Sequence, residues 1–185
     1  MGSALETLCG QAYGAKQLHM LGVYMQRSWV ILYITSLFLL PIYLFATPVL
    51  HLFGQDNEIS ALAGKFSLYM IPQLFAYALN FPIQKFLQAQ SKVMVMAFVS
   101  AFALLFHIFL SWLLLVVFKL GLVGAAISLN LAWVVVVLGQ FVYIAMGYCP
   151  GAWNGFSLEA FRDLAAFARL SIASGIMMWY AYSLN

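Results

Sequence analysis

Charge is what this chain has least of. Asp, Glu, Lys and Arg make up 7% of its 185 residues, where a soluble domain carries about 25%. Four long stretches contain none of them: Ser28–Gln55, Phe66–Gln84, Val93–Phe118 and Leu120–Leu158. A fifth, Leu170–Asn185, runs to the last residue. With 65% hydrophobic residues and a mean hydropathy of +0.98, the chain has too few polar groups to cover a water-soluble globule. A bilayer core of about 30 Å takes roughly 20 apolar residues in a helix. Each complete uncharged stretch holds such a segment or comes within a residue of it. The sequence predicts an all-α, polytopic membrane helix bundle. A single transmembrane domain is expected over residues 1–185, with no sizeable soluble domain.

Other scarcities exclude other classes. Two cysteines, Cys9 and Cys149, both fall near the inferred cytoplasmic side and predict no disulfide framework. His19, His51 and His107 lie in different segments without metal-ligand spacing, so neither a metal nor a cofactor is expected. Gly121-Leu-Val-Gly-Ala-Ala lacks the lysine and the spacing of a phosphate-cradling loop. No cluster of catalytic residues gathers at one depth, so the chain reads as no enzyme. The net charge of +3 comes without a basic run or stripe, which argues against nucleic acid and for a topology signal. Met1-Gly-Ser-Ala-Leu-Glu6 has no basic n-region, so it is no signal peptide. Met1–Tyr13 is apolar but too short to span. The expectation is a piece of a longer protein, truncated at both ends.

The few charges present are ordered. Six of the eight basic residues fall in alternate loops: Lys16 and Arg27, then Lys85 and Lys92, then Arg162 and Arg169. The positive-inside rule places those loops in the cytoplasm. The connection at 149–169 differs in kind. Cys149-Pro-Gly-Ala-Trp-Asn-Gly breaks a helix, and Ser157 is placed to cap a new one. Leu158, Phe161, Leu164 and Ala165 would share one face, with Glu159, Arg162, Asp163 and Ala166 opposite. The pattern predicts a cytoplasmic linker carrying a short amphipathic helix on the membrane surface.

Polar residues inside the spans are costly in lipid and turn inward. In the second span Gln73, Tyr77, Asn80, Gln84 and Gln88 recur every three or four residues, one face of a helix. Pro72 and Pro82 in the same segment permit kinks. Such a stripe suits a water-accessible substrate pathway. It equally suits interhelical hydrogen bonds worth about 0.6 kcal/mol each. Ser100, His107 and Ser111 form a sparser stripe in the third span. His107 is the titratable group set well inside a complete span; it either relays protons or sits neutral and hydrogen-bonded. Gly121, Gly124, Ala125 and Ser128 allow close helix approach. Thr35 and Ser36 are expected to bond their own backbone. Glu6, beside Thr7 and Gln11, either couples to a moving cation or rests at the interface near Lys16.

Three longer runs carry a resemblance. They are Glu6-Thr-Leu-Cys-Gly-Gln-Ala-Tyr-Gly-Ala-Lys-Gln with Tyr24-Met-Gln-Arg-Ser-Trp29, Pro82-Ile-Gln-Lys-Phe-Leu-Gln-Ala-Gln-Ser-Lys92, and Gly121-Leu-Val-Gly-Ala-Ala-Ile-Ser. Together they resemble plant transporters of the multidrug and toxic compound extrusion (MATE) family, over nearly the whole chain. The resemblance implies a twelve-helix fold of two six-helix lobes. This chain would hold the end of helix 2, helices 3 to 6 and the start of helix 7, a partial N-lobe. It implies secondary antiport, moving small organic compounds or xenobiotics out of the cytosol against H⁺ or Na⁺, in a vacuolar or plasma membrane. It makes Gln73, Tyr77, Asn80 and Gln84 candidates for the substrate pathway, and Glu6 and His107 candidates for ion coupling. The family pattern Leu-Cys-Leu-Glu-Xaa-Trp of helix 7 has its match at Met178-Trp-Tyr-Ala-Tyr-Ser183, where Ala181 replaces the carboxylate. The alternative expectation is a non-transporting membrane fragment that at most associates with full-length relatives. Its other partner would be the lipid bilayer.

Overall fold

The structure, a computed structural model, describes residues 2–162 and 164–183. Its elements are helical. Helix α1 spans Gly2–Gly14 and α2 Leu18–Leu44, joined by a tight turn in which Lys16 has φ 58°. Short α3 (Ala46–Leu52) leads to α4 (Asn57–Tyr69) and α5 (Ile71–Ala89). Helix α6 (Val93–Trp112) continues as a π-turn through Val117. Helix α7 (Gly121–Tyr143) likewise runs on to Tyr148, where Gly147 at φ 87° ends it. A single 3₁₀ turn, Leu158–Phe161, precedes α8 (Leu164–Ser183).

Three of these, Leu18–Leu44, Val93–Val117 and Gly121–Tyr148, are long and apolar enough to cross a membrane. At 1.5 Å per residue, 27 residues of α2 extend about 40 Å. That exceeds the hydrocarbon core, so Arg27 is tolerated toward one end. Helix α6 shows what surrounds the bundle. Ala103 is its one buried residue, while Phe98, Phe102, Leu105 and Phe109 all face outward. That much exposed apolar surface is stable only against lipid. The chain is an integral membrane protein.

Packing concentrates at one end. Helix α5 lies between α2 and α7, α7 carries α6, and α1 docks on α2 and α5. Leu5 and Cys9 of α1, Met25 of α2, Phe86 of α5, Ile144 and Phe167 meet in one core. The same end gathers the basic loops. Lys85 Nζ pairs with Glu6 Oε2 at 2.7 Å. Arg27 Nη2 donates to the Glu159 carbonyl at 3.1 Å, and Lys92 donates to the Tyr148 carbonyl. The three loops that charge counting assigns to the cytoplasm therefore lie together.

Two stretches differ from the sequence reading. The second uncharged stretch is not one smooth helix: α4 and α5 meet at Met70, whose N–H reaches back to Phe66 and Ser67. Pro72 falls in the first turn of α5, where its missing N–H costs nothing; Pro82 stands inside the helix and buried. In the connection, Ser157 caps as expected, its Oγ accepting from Glu159 N–H at 3.2 Å. The turn it opens stops after four residues because Arg162 is extended (φ −80°, ψ 145°). Leu158 and Phe161 face away from the protein, whereas Ala160 is buried. Asp163, read as part of the polar face, lies outside the described residues.

Candidate functional site

The polar stripe of α5 does not line one continuous channel. Gln73 and Tyr77 border a cleft of about 440 Å³ with Tyr43 of α2, Phe66 and Ser67 of α4 and Leu129 of α7. The Tyr77 ring lies 4.2 Å from that of Trp133 on α7, which holds it beside the cleft. One turn on, Asn80 is only 3% exposed, and its Oδ1 has no hydrogen-bond partner among the described residues. Gln84 borders a second cavity, about 230 Å³, between α5, α6 and α7. Gln88 is exposed and accepts from Lys85 Nζ at 3.1 Å.

The second cavity joins two stripes that the sequence keeps apart. Gln84 of α5 shares it with Ser100 and His107 of α6, and Trp133 and Leu129 close it from α7. Leu129 thus separates the two spaces. His107 Nδ1 is buried without a partner among the described residues. Ser111, the third member of the α6 stripe, instead donates to Ser128 Oγ at 3.1 Å. That bond ties α6 to α7 where Gly124 brings the backbones close: a methyl there would meet Leu114 at 3.2 Å.

Glu6 is not in this space. It sits on α1, with its side chain 55% exposed and paired to Lys85. The structure thus brings Gln84 and His107 together, sets Gln73 and Tyr77 in the neighbouring cleft, leaves Asn80 buried between, and holds Glu6 apart at the basic end.

Two glutamines were not singled out by the sequence. Gln140 on α7 is fully buried with both amide atoms unpartnered among the described residues. Its signal was present: one amide in the otherwise apolar run Val134–Val142. Gln26 is bonded instead, its Nε2 to the Gly155 carbonyl at 3.0 Å and its Oε1 to Ser157 N–H at 2.8 Å. It lies in the motif run Tyr24–Trp29, but next to Arg27 it read as loop, and the run does not say what its amide bonds. Near these, burial pushes the Cys149 thiol above its ordinary pKa, against the opposing pull of the Lys92 ammonium.

A family model described as MatE matches residues 1–113. The chain belongs to the MatE family. Protein DETOXIFICATION 33 of Arabidopsis thaliana is 61% identical over 184 residues, which is 97% of this chain and 38% of that protein. Protein DETOXIFICATION 29 of the same plant is 56% identical, over 97% of this chain and 37% of its own length. The crystal structure of the eukaryotic MATE transporter AtDTX14 superposes with a TM-score of 0.86 at 37% identity. It covers 91% of this chain and 38% of the transporter. The chain therefore spans a little over a third of the length of these MatE relatives. The all-α membrane fold and the family resemblance carried by the three motif runs are both borne out.

Proposed function

We propose that this chain forms part of a MATE-type antiporter lobe that moves small organic compounds or xenobiotics across a membrane in exchange for H⁺ or Na⁺. The observation that supports the reading is α5, a helix packed among the apolar spans, whose Gln73, Tyr77 and Gln84 border two clefts. Lipid does not solvate such groups, whereas a passing polar solute does. Gln73, Tyr77 and Gln84 are the substrate-contacting residues in this reading, and Asn80, buried between the two spaces, remains a pathway candidate. His107, which borders the same cavity as Gln84, is the ion-coupling group in this reading, since its buried Nδ1 has no partner among the described residues. Glu6 is the weaker coupling candidate, because Lys85 already neutralises it. Alternating access follows if this lobe rocks against a second one around the cleft. The membrane is vacuolar or plasma.

The test is proton-gradient-driven efflux from vesicles, with the chain joined to the remainder of a DETOXIFICATION relative. Gln84→Leu and His107→Leu are expected to lower the rate without lowering the amount of folded protein. Unchanged rates in both would remove the pathway assignment.

The 38% share of its relatives favours a second reading for the chain alone: it does not transport, and associates with full-length relatives. Efflux by the isolated chain excludes that reading. Failure to co-purify with a full-length relative removes its partner half.

A further inference from the structure

The 3₁₀ turn after α7 has two sides of opposite character. Its inner side is fastened to α2. Gln26 clamps the backbone of Gly155 and Ser157 from both amide atoms, and Ala160 is 2% exposed against the lobe. The Glu159 carbonyl accepts both from Arg27 Nη2 and from the Arg162 N–H, each at 3.1 Å. A methyl on Gly22 would stand 2.6 Å from the Ala152 carbonyl oxygen, so the segment lies directly on the α2 backbone. This fastening fixes what the outer side presents. Phe156 is 78% exposed, Leu158 84% and Phe161 61%.

Three apolar side chains held rigidly outward need a cover. Their place in the fold says which. They stand beside Arg27, which donates to the Glu159 carbonyl, in the same connection whose start at Tyr148 is held by Lys92, lying over the Tyr143 ring that stacks on Tyr148. Basic residues and tyrosines mark the headgroup level of a membrane. The exposed Arg162 directly follows the apolar edge. The acids nearby in the chain are Glu159 and Asp163. The geometry points to an interfacial lipid site: Phe156, Leu158 and Phe161 wedge into the headgroup–acyl boundary of an anionic leaflet, and Arg162 contacts lipid phosphates or carboxylates. An edge of this kind combines apolar burial with attraction to the negative cytoplasmic surface. The wedge rests on membrane embedding and not on transport, so it stands or falls apart from the antiport reading.

Depth measurement by a spin label decides it. Leu158→Cys and Phe161→Cys each carry a label in vesicles of phosphatidylcholine, with and without phosphatidylserine. The natural Cys9 and Cys149 are buried, which directs the label to the new thiol. Dissolved oxygen is expected to relax both labels more than a water-soluble nickel chelate does. Phosphatidylserine is expected to deepen them, and Arg162→Gln to cancel that deepening. Stronger relaxation by nickel at Leu158 in both vesicles overturns the wedge, and shows the edge reserved for protein or water. Equal depth with and without phosphatidylserine overturns the anionic partner.

Discussion

Gln26 shows how one side chain holds a segment that has little regular structure of its own. Both of its amide atoms satisfy backbone groups of the 149–161 connection. Gln26→Ala leaves the Gly155 carbonyl and the Ser157 N–H unpaired, at a cost of about 1–3 kcal/mol. The expected result is a lower melting temperature in detergent and faster amide exchange at 155–160, with α5 unchanged. Gly22→Ala acts on the same contact from below. Its new methyl meets the Ala152 carbonyl oxygen at 2.6 Å, an overpacking worth about 1–3 kcal/mol, read by the same melt. Cys149 adds a dependence on pH. Its folded pKa is raised above the ordinary value of 9.0, so the native state holds the proton more tightly than the unfolded chain. Its stabilising share is full below pH 9 and falls as pH rises past it. A Cys149→Ser chain is expected to melt at a temperature that varies less between pH 8 and alkaline conditions than the parent's. At this scale the sequence was informative about type and silent about partners. It marked Gln84 and His107 as polar groups in apolar helices, but their meeting in one cavity depends on how α5 and α6 are rotated. It placed Gln26 in a motif run but had no means of naming its partners, which lie about 130 residues away.

Among the elements, α6 is the purest consequence of composition. A 20-residue apolar helix that packs on α7 with a single buried residue turns most of its surface outward from this bundle. Phe102→Lys places a charge on that lipid face. The cost of a charge at mid-helix is about 2.5–3.5 kcal/mol on insertion scales. The expected outcome is reduced insertion of 93–117 in a glycosylation-mapping assay, whereas Ser111→Ala leaves insertion intact. Helices α4 and α5 show where local chemistry overrode the hydrophobic pattern. The uncharged stretch Phe66–Gln84 reads as one span, yet the helix is interrupted at Met70 and Pro72 falls in the first turn of the next one. The 149–169 connection is the opposite case. Its periodicity suits one amphipathic helix, but the extended Arg162 ends the first turn. The capping signal at Ser157 was legible because it is local; the length of the turn was not, because α2 grips it from outside.

For the whole molecule, sidedness is the property most open to test. Thiols introduced at Lys16, Gln90 and Leu158 are expected to react with an impermeant maleimide from one side of a sealed vesicle. Thiols at Gln55 and Lys119 are expected to react from the other. A mixed pattern would break the topology that the basic loops imply. The bundle is tight where those loops meet and looser toward α3 and α4, where Leu52, Phe53 and Ile59 stand exposed. The cleft beside Tyr77 opens within this looser half.

By itself the sequence determined membrane residence, the helical class, the alternation of the basic residues along the chain and the MatE family. Each follows from composition or from short motifs, which survive any arrangement of the helices. Only the tertiary structure decided that the α5 stripe divides between two spaces, that Glu6 pairs with Lys85, and that Gln140 is buried without a partner among the described residues. Those outcomes depend on the rotation of each helix about its axis. Weak periodicity leaves that rotation open when nearly every side chain is apolar, and packing settles it.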